Sequence, residues 1–107
     1  MTVRERLPQR RASLTLNAEH AGLRYVVTIS RYPDGRPAEC FIQNGKLTSA
    51  ADIAARDSGI LLSLLFQFGC PIETIAHAVT RNGDGSAEGV VGAMLDKIMM
   101  LNTERAP

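Results

Sequence analysis

The sequence has no run of 18 apolar residues, so no helix in it is expected to span a membrane. Its opening MTVRERLPQRR lacks the apolar centre of a signal peptide, which makes a cytoplasmic address the expectation. Only two cysteines occur, Cys40 and Cys70. Two cysteines make no disulfide framework, and in that compartment they need not pair. With His20 and His77 they are four conceivable metal ligands, yet there is no Cys-x-x-Cys, no His-x-x-x-His and no other short ligand pair, so no metal site is expected. Aromatic residues are scarce at 5%, and Tyr25 is the only one in the first 30 positions. Without a stacking platform beside the N-terminal arginines, nucleic-acid binding is disfavoured. At 107 residues the chain is also too short for a doubly wound sheet or a barrel with its own active-site loops.

What is present is enough for one domain: 45% hydrophobic residues, 21% charged and a net charge of +1. The charge is uneven. Arg4, Arg6, Arg10 and Arg11 against Glu5 give the first 11 residues +3, leaving −2 for the other 96. Residues 1–10 read as a basic flexible arm, 11–102 as the domain, and 103–107 as a disordered tail. The arm is either solvated and tied to its own domain, or meets an acidic partner or phosphates.

Three strand patterns follow the arm. Ala12 to Ala18 alternates apolar and polar residues, and Leu23 to Ile29 is rich in β-branched residues. His20-Ala21-Gly22 joins these two as a short hairpin connection. Tyr32-Pro33-Asp34-Gly35-Arg36 is a turn sequence, because proline presets φ and glycine takes positive φ. A third strand, Ala38 to Gln43, pairs back on the second. From Ser49 the period becomes helical, with Ser49 and Asp52 placed as in a capping box and Gly69 as the stop. Ile53, Ile60, Leu61, Leu64, Leu65 and Phe68 form its expected inward stripe. Leu62 and Phe66 widen it until the second half is apolar on nearly every side, which points to a second packing surface and a homodimer. Further helices are expected from Pro71 to Thr80 and from Ser86 to Leu101, the last with Val91, Met94, Leu95, Ile98 and Leu101 inward. The fold class is therefore α+β, a three-stranded antiparallel meander followed by three helices on one face (β-β-β-α-α-α).

Candidate site residues are few. Asp57 falls at the edge of the apolar stripe, where a carboxylate needs a cation such as Arg31, Arg36 or Arg56. It is either a structural ion pair or a ligand-facing acid. Asn82-Gly83-Asp84-Gly85-Ser86 precedes the last helix, and its free amides would suit an anion. It follows no strand, lacks lysine and carries Asp84, with Glu88 close behind, so a plain turn competes with that reading. His77 could pair with Cys70 as a nucleophile and base, but no third orienting group is identifiable. The methionines Met94, Met99 and Met100 read as core or dimer filler. No residue is assigned as catalytic.

Residues 4 to 98 resemble the TSCPD domain, found at the C-terminus of adenosylcobalamin-dependent (class II) ribonucleotide reductases and as small separate bacterial proteins. The resemblance rests on Tyr25-Val26-Val27-Thr28-Ile29, on Asp34-Gly35-Arg36-Pro37-Ala38-Glu39 leading into Phe41, and on Gly45-Lys46. It also uses Ser63-Leu64-Leu65 and Gly85-Ser86-Ala87-Glu88-Gly89, and the opening Arg4 to Arg11 is similar to the separate branch. The name-giving Thr-Ser-Cys-Pro-Asp corresponds to Gly85–Gly89, which keeps only Ser86. Relatives with further cysteines near Thr48–Ala51 have no counterpart here. The resemblance implies a link to ribonucleotide reduction and DNA precursor metabolism, through binding the reductase, a nucleotide or another protein. It implies no catalysis by this chain, because that chemistry requires a radical-bearing cysteine in a large barrel and a reducible cysteine pair. It implies no cofactor of its own either, adenosylcobalamin belonging to the reductase. The expected contact residues are Arg4, Arg10, Arg11, Arg36, Asp57, Gly83, Gly85 and Ser86. Two alternatives stay open: a homodimeric interaction module without a ligand, and a small nucleotide-handling enzyme using Asp57 or His77 as acid and base.

Overall fold

The computed structural model describes residues 3–46 and 49–105, with the backbone alone from 102 to 105. The first two residues of the arm, Leu47 and Thr48, and the last two residues of the tail lie outside the described residues. Strands β1 (Ser13–His20), β2 (Leu23–Arg31) and β3 (Pro37–Asn44) form one antiparallel sheet in the order β1-β2-β3. Two turns set its register. Between β1 and β2 the linking pair Ala21 and Gly22 has φ of 51° and 79°, the two positive values of a type I′ hairpin, whose twist matches that of the strands. Between β2 and β3 the Gly35 N–H donates to the Tyr32 carbonyl at 2.9 Å, with Gly35 at φ 93°. The register shifts beside Ser30 and Arg31 to absorb the extra residue.

Alternation along the strands puts Tyr25, Val27, Ile29, Cys40 and Ile42 on one buried face, with Leu14, Leu16 and Ala18 of β1 partly buried beside them. Helices α2 (Ile72–Ala78) and α3 (Val90–Arg105) close that face with Ile72, Ile75, Ala76, Met94, Leu95 and Ile98. The expected stripe of the last helix is thus found at Met94, Leu95 and Ile98. Its start differs. The helix begins at Val90 rather than Ser86, because Arg81 and Ala87 form an antiparallel bridge and the Asp84 carboxylate takes the Ser86 N–H at 2.9 Å.

Helix α1 (Ala50–Gln67) starts as expected, with Ser49 Oγ accepting the Asp52 N–H at 3.1 Å. Its orientation corrects the expected stripe. Ile53, Ile60, Leu61, Leu65 and Phe68 are 41–61% exposed, whereas Asp52, Ala55, Gly59, Leu62, Ser63, Phe66 and Gln67 are buried. The cause lies in β3, whose outer edge would otherwise leave backbone groups unpaired. The Asp52 carboxylate accepts the Asn44 N–H at 2.9 Å. The Ser63 hydroxyl accepts the Cys40 N–H at 2.8 Å and lies 3.0 Å from the Cys40 carbonyl and 2.9 Å from the Gly59 carbonyl as donor. Gln67 Nε2 donates to the Ala38 carbonyl at 3.0 Å. The lengths agree: from Asn44 back to Ala38 the strand spans about 20 Å, and from Asp52 to Gln67 the helix rises about 22 Å. Gly59 lets the two backbones meet, since a Cβ there would stand 2.9 Å from the Cys40 carbonyl oxygen. The helix acts as a fourth strand would, covering the edge with side chains, while Ala55, Leu62 and Phe66 turn into the core.

Candidate functional site

The N-terminal arginines reach the end of the molecule where β3 begins and α1 finishes. Glu5 N–H donates to the Gln67 carbonyl and Arg4 Nε to Gln67 Oε1, each at 2.6 Å. Gln67 therefore ties arm, helix and strand together. Arg11 donates to the Pro8 carbonyl at 2.6 Å and pairs with Glu39 at 3.0 Å. Arg36, across the β2–β3 turn, pairs with Glu5 at 2.9 Å and Asp34 at 2.7 Å, and its guanidinium sits 4.9 Å from the Tyr32 ring centroid. Bonds from Glu5 and then Asp34 raise the Arg36 pKa still further above its ordinary value. Asp34 is lowered, first by the Arg36 backbone N–H and then by its side chain. Tyr32 is raised by burial and by the nearby Glu5, while its hydroxyl donates to the Glu5 carbonyl at 3.2 Å. Arg10 is exposed. Beside this cluster lies a hollow of about 350 Å³ whose lining includes Arg31, Asp34, Arg36, Phe66, Cys70 and Glu73. The arrangement is a mixed-charge surface with an apolar floor, its charges paired with one another.

The remaining candidates sit elsewhere. Asp57 is exposed on α1, and the buried carboxylate of that helix is Asp52, with only 2% of its side chain exposed and Arg56 Nε 2.9 Å away. The carboxylate that ties helix to sheet is therefore Asp52, which accepts the Asn44 N–H of β3 and pairs within the helix with Arg56. Gly83, Gly85 and Ser86 belong to a closed turn four residues ahead of α3, so the expected position at a helix N-terminus is corrected. The Asn82 N–H donates to the Ser86 carbonyl at 2.8 Å, Gly85 N–H to the Asn82 carbonyl at 2.9 Å, and both the N–H and hydroxyl of Ser86 to Asp84. Those Ser86 bonds hold the Asp84 carboxyl below its usual range. His77 is exposed on α2 and lines a second hollow, of about 400 Å³, with Arg81, Asp96 and Met99. Asp57 does not line that hollow, so the two residues expected to work as acid and base do not share it. Arg81 forks onto Asp96 at 2.5 and 2.9 Å and also donates to the Ala76 carbonyl, clamping the end of α2 to α3. The Arg81 bonds lower the Asp96 pKa.

Cys40 is fully buried in β3, and burial pushes its thiol pKa up to about 12. Cys70 is half-buried after α1, and both cysteines are free. No group of three or more His, Cys, Asp or Glu residues among the described residues is placed to hold a metal ion, and no helix among them is long and apolar enough to cross a membrane.

Sequence reasoning passed over Asp52 as a buried acid, together with Ser63, Gln67 and Glu39. A signal existed for the first three. Polar residues at 52, 63 and 67 with glycine at 59 share one side of the helix.

No family model and no solved structure matches the chain. Over 74 residues it is 40% identical to the vitamin B12-dependent ribonucleotide reductase of Rhodopirellula baltica. It is 34% identical over 77 residues to the enzyme of the same name from Agrobacterium fabrum, and 32% over 80 residues to that from Bradyrhizobium diazoefficiens. These matches take in 69%, 72% and 75% of this chain but only 7%, 6% and 6% of the relatives. Most of the chain thus resembles one small part of a much longer enzyme.

Proposed function

We propose that this domain is of the TSCPD type and serves ribonucleotide reduction as a binding module, contacting a B12-dependent reductase rather than supplying the reacting groups. The observation that carries the reading is the 40% identity over 74 residues to a piece amounting to 7% of such an enzyme. The cysteines lend support. Cys40 is held as a neutral thiol inside the core, and Cys70 lies in the loop that follows α1. The contact surface is the arginine-bearing end, where Arg4, Arg11 and Arg36 are already oriented by Gln67, Glu39, Glu5 and Asp34. Such pre-oriented side chains lose little further freedom when a partner arrives.

Ribonucleotide turnover by a B12-dependent reductase, measured with and without added chain, tests this directly. The chain alone is expected to give no turnover, and its addition to change kcat or KM of the reductase. A parallel thermal-shift panel of ribonucleotides, deoxyribonucleotides and adenosylcobalamin is expected to stay flat. A ligand at about 100 times its Kd would add roughly 2.7 kcal/mol, or on the order of 10 °C in a domain this size. A shift of that size with a nucleotide would replace partner binding by ligand binding.

A further inference from the structure

The outward side of α1 is apolar, and it continues onto the sheet. Phe41, Ile53, Ile60, Leu61, Leu65 and Phe68 are each 41–61% exposed. Leu61, Leu65 and Phe68 recur at helical spacing, and Ile53 and Ile60 are one heptad apart, so the five share one half of the helix. Phe41 points from β3 to the side opposite buried Cys40 and Ile42, and its Cα is 3.3 Å from where a Cβ on Gly59 would stand. At roughly 200 Å² for a fully exposed large side chain, these exposures amount to about 600 Å². That is the upper end of the largest apolar patch on an ordinary monomer, about 300–600 Å². In a homodimer interface about 65% apolar, it would be the centre of about 900 Å² per partner, above the ~800 Å² of a standard stable interface.

The exposed Asp57 carboxylate lies within this face, one turn from Ile53, Ile60 and Leu61, so a second copy has to keep the two carboxylates apart. Asp52 is buried against Arg56, which leaves Asp57 as the exposed carboxylate of α1. Leu61 lies near the middle of the exposed run. About a twofold axis at Leu61, the two Asp57 carboxylates would be about 12 Å apart along the helices, on either side of the Leu61 contact rather than facing each other. We propose that the chain forms a homodimer in which α1 packs antiparallel against α1 of a second copy about a twofold at Leu61, with Phe41 at the rim of the contact. This pairing goes beyond the reductase reading, which it neither needs nor implies.

Sedimentation equilibrium from micromolar to near-millimolar concentration tests the pairing. The chain is expected at twice its 11.6 kDa mass. Leu61→Glu is expected at the single-chain mass, with an unchanged far-ultraviolet circular dichroism spectrum because Leu61 is 61% exposed. His77→Ala, on another element, is expected to remain a dimer. In a Cys70→Ser background, Leu61→Cys is expected to form an intermolecular disulfide under mild oxidation, and Ser86→Cys is not. A monomer at every concentration overturns the proposal, as does a dimer that survives Leu61→Glu. So does a monomeric chain in which Leu61→Glu abolishes capture of the reductase, since the face would then belong to that partner.

Discussion

At the scale of single residues, burial and neighbours separate groups of the same type. Cys40 lies in the core with its thiol pKa pushed up to about 12, while Cys70 is half-buried in a loop. Brief treatment of the native protein with iodoacetamide near neutral pH should therefore modify Cys70 and spare Cys40, as read by mass spectrometry, until denaturant is added. Ala21 at φ 51° carries the strain of the left-handed region, and Asn-Gly is the favoured pair for that turn. Ala21→Asn is expected to stabilise the domain by about 1 kcal/mol, seen as a melting midpoint higher by roughly 4–8 °C. Asp96 titrates below its ordinary value because Arg81 bonds the ionised form. A depressed folded-state pKa means its contribution is complete above the unfolded value near 3.9 and is lost as the pH falls through the lower folded value. Arg81→Ala is expected to lower stability at neutral pH and to flatten the acid limb of the stability profile. Denaturant titrations from pH 7 down to pH 2 would show both effects.

At the scale of elements, the strands, both turns and the existence of three helices were legible because each signal is local. Alternation, Pro33-Asp34-Gly35, Ser49 as N-cap and Gly69 as stop all act within a few residues. The facing of α1 was not legible. Periodicity separates a polar side from an apolar side, but the side that turns inward depends on the unpaired edge of β3, 23 residues away at Cys40 and Ser63. The start of α3 was misjudged for a related reason, since the Arg81–Ala87 bridge and the Asp84 turn compete locally with helix. Of the candidate residues, the arginines were visible by type. Their positions were not, because Arg4 meets Gln67 across 63 residues and Arg11 meets Glu39 across 28. The helix-on-edge arrangement makes its own prediction. Gly59→Ala gains about 1 kcal/mol in helix propensity but forces a Cβ to 2.9 Å from a backbone oxygen, so a net loss of about 1–3 kcal/mol is expected. Chemical denaturation would check it, and unchanged or increased stability would mean that α1 does not sit so close to β3.

At the scale of the whole molecule, two surfaces remain after the core is built: the outward face of α1 and the mixed-charge end bearing Arg4, Arg11 and Arg36. The first is apolar around the single carboxylate of Asp57, which suits the proposed contact with a second copy; the second is polar and pre-oriented, which suits a partner that is recognised by charge. The functional proposal rests on similarity, since no group of residues in the sequence prescribes a reaction, and the relatives share this segment as a minor part of a large enzyme. The most direct measurement is therefore fluorescence anisotropy of the labelled chain titrated with a B12-dependent ribonucleotide reductase at two salt concentrations. A saturable complex is expected, weakened by added salt and by Arg36→Ala and indifferent to His77→Ala. No complex at any reductase concentration, or one that Arg36→Ala and salt leave untouched, would contradict a binding module acting through its arginine-bearing end.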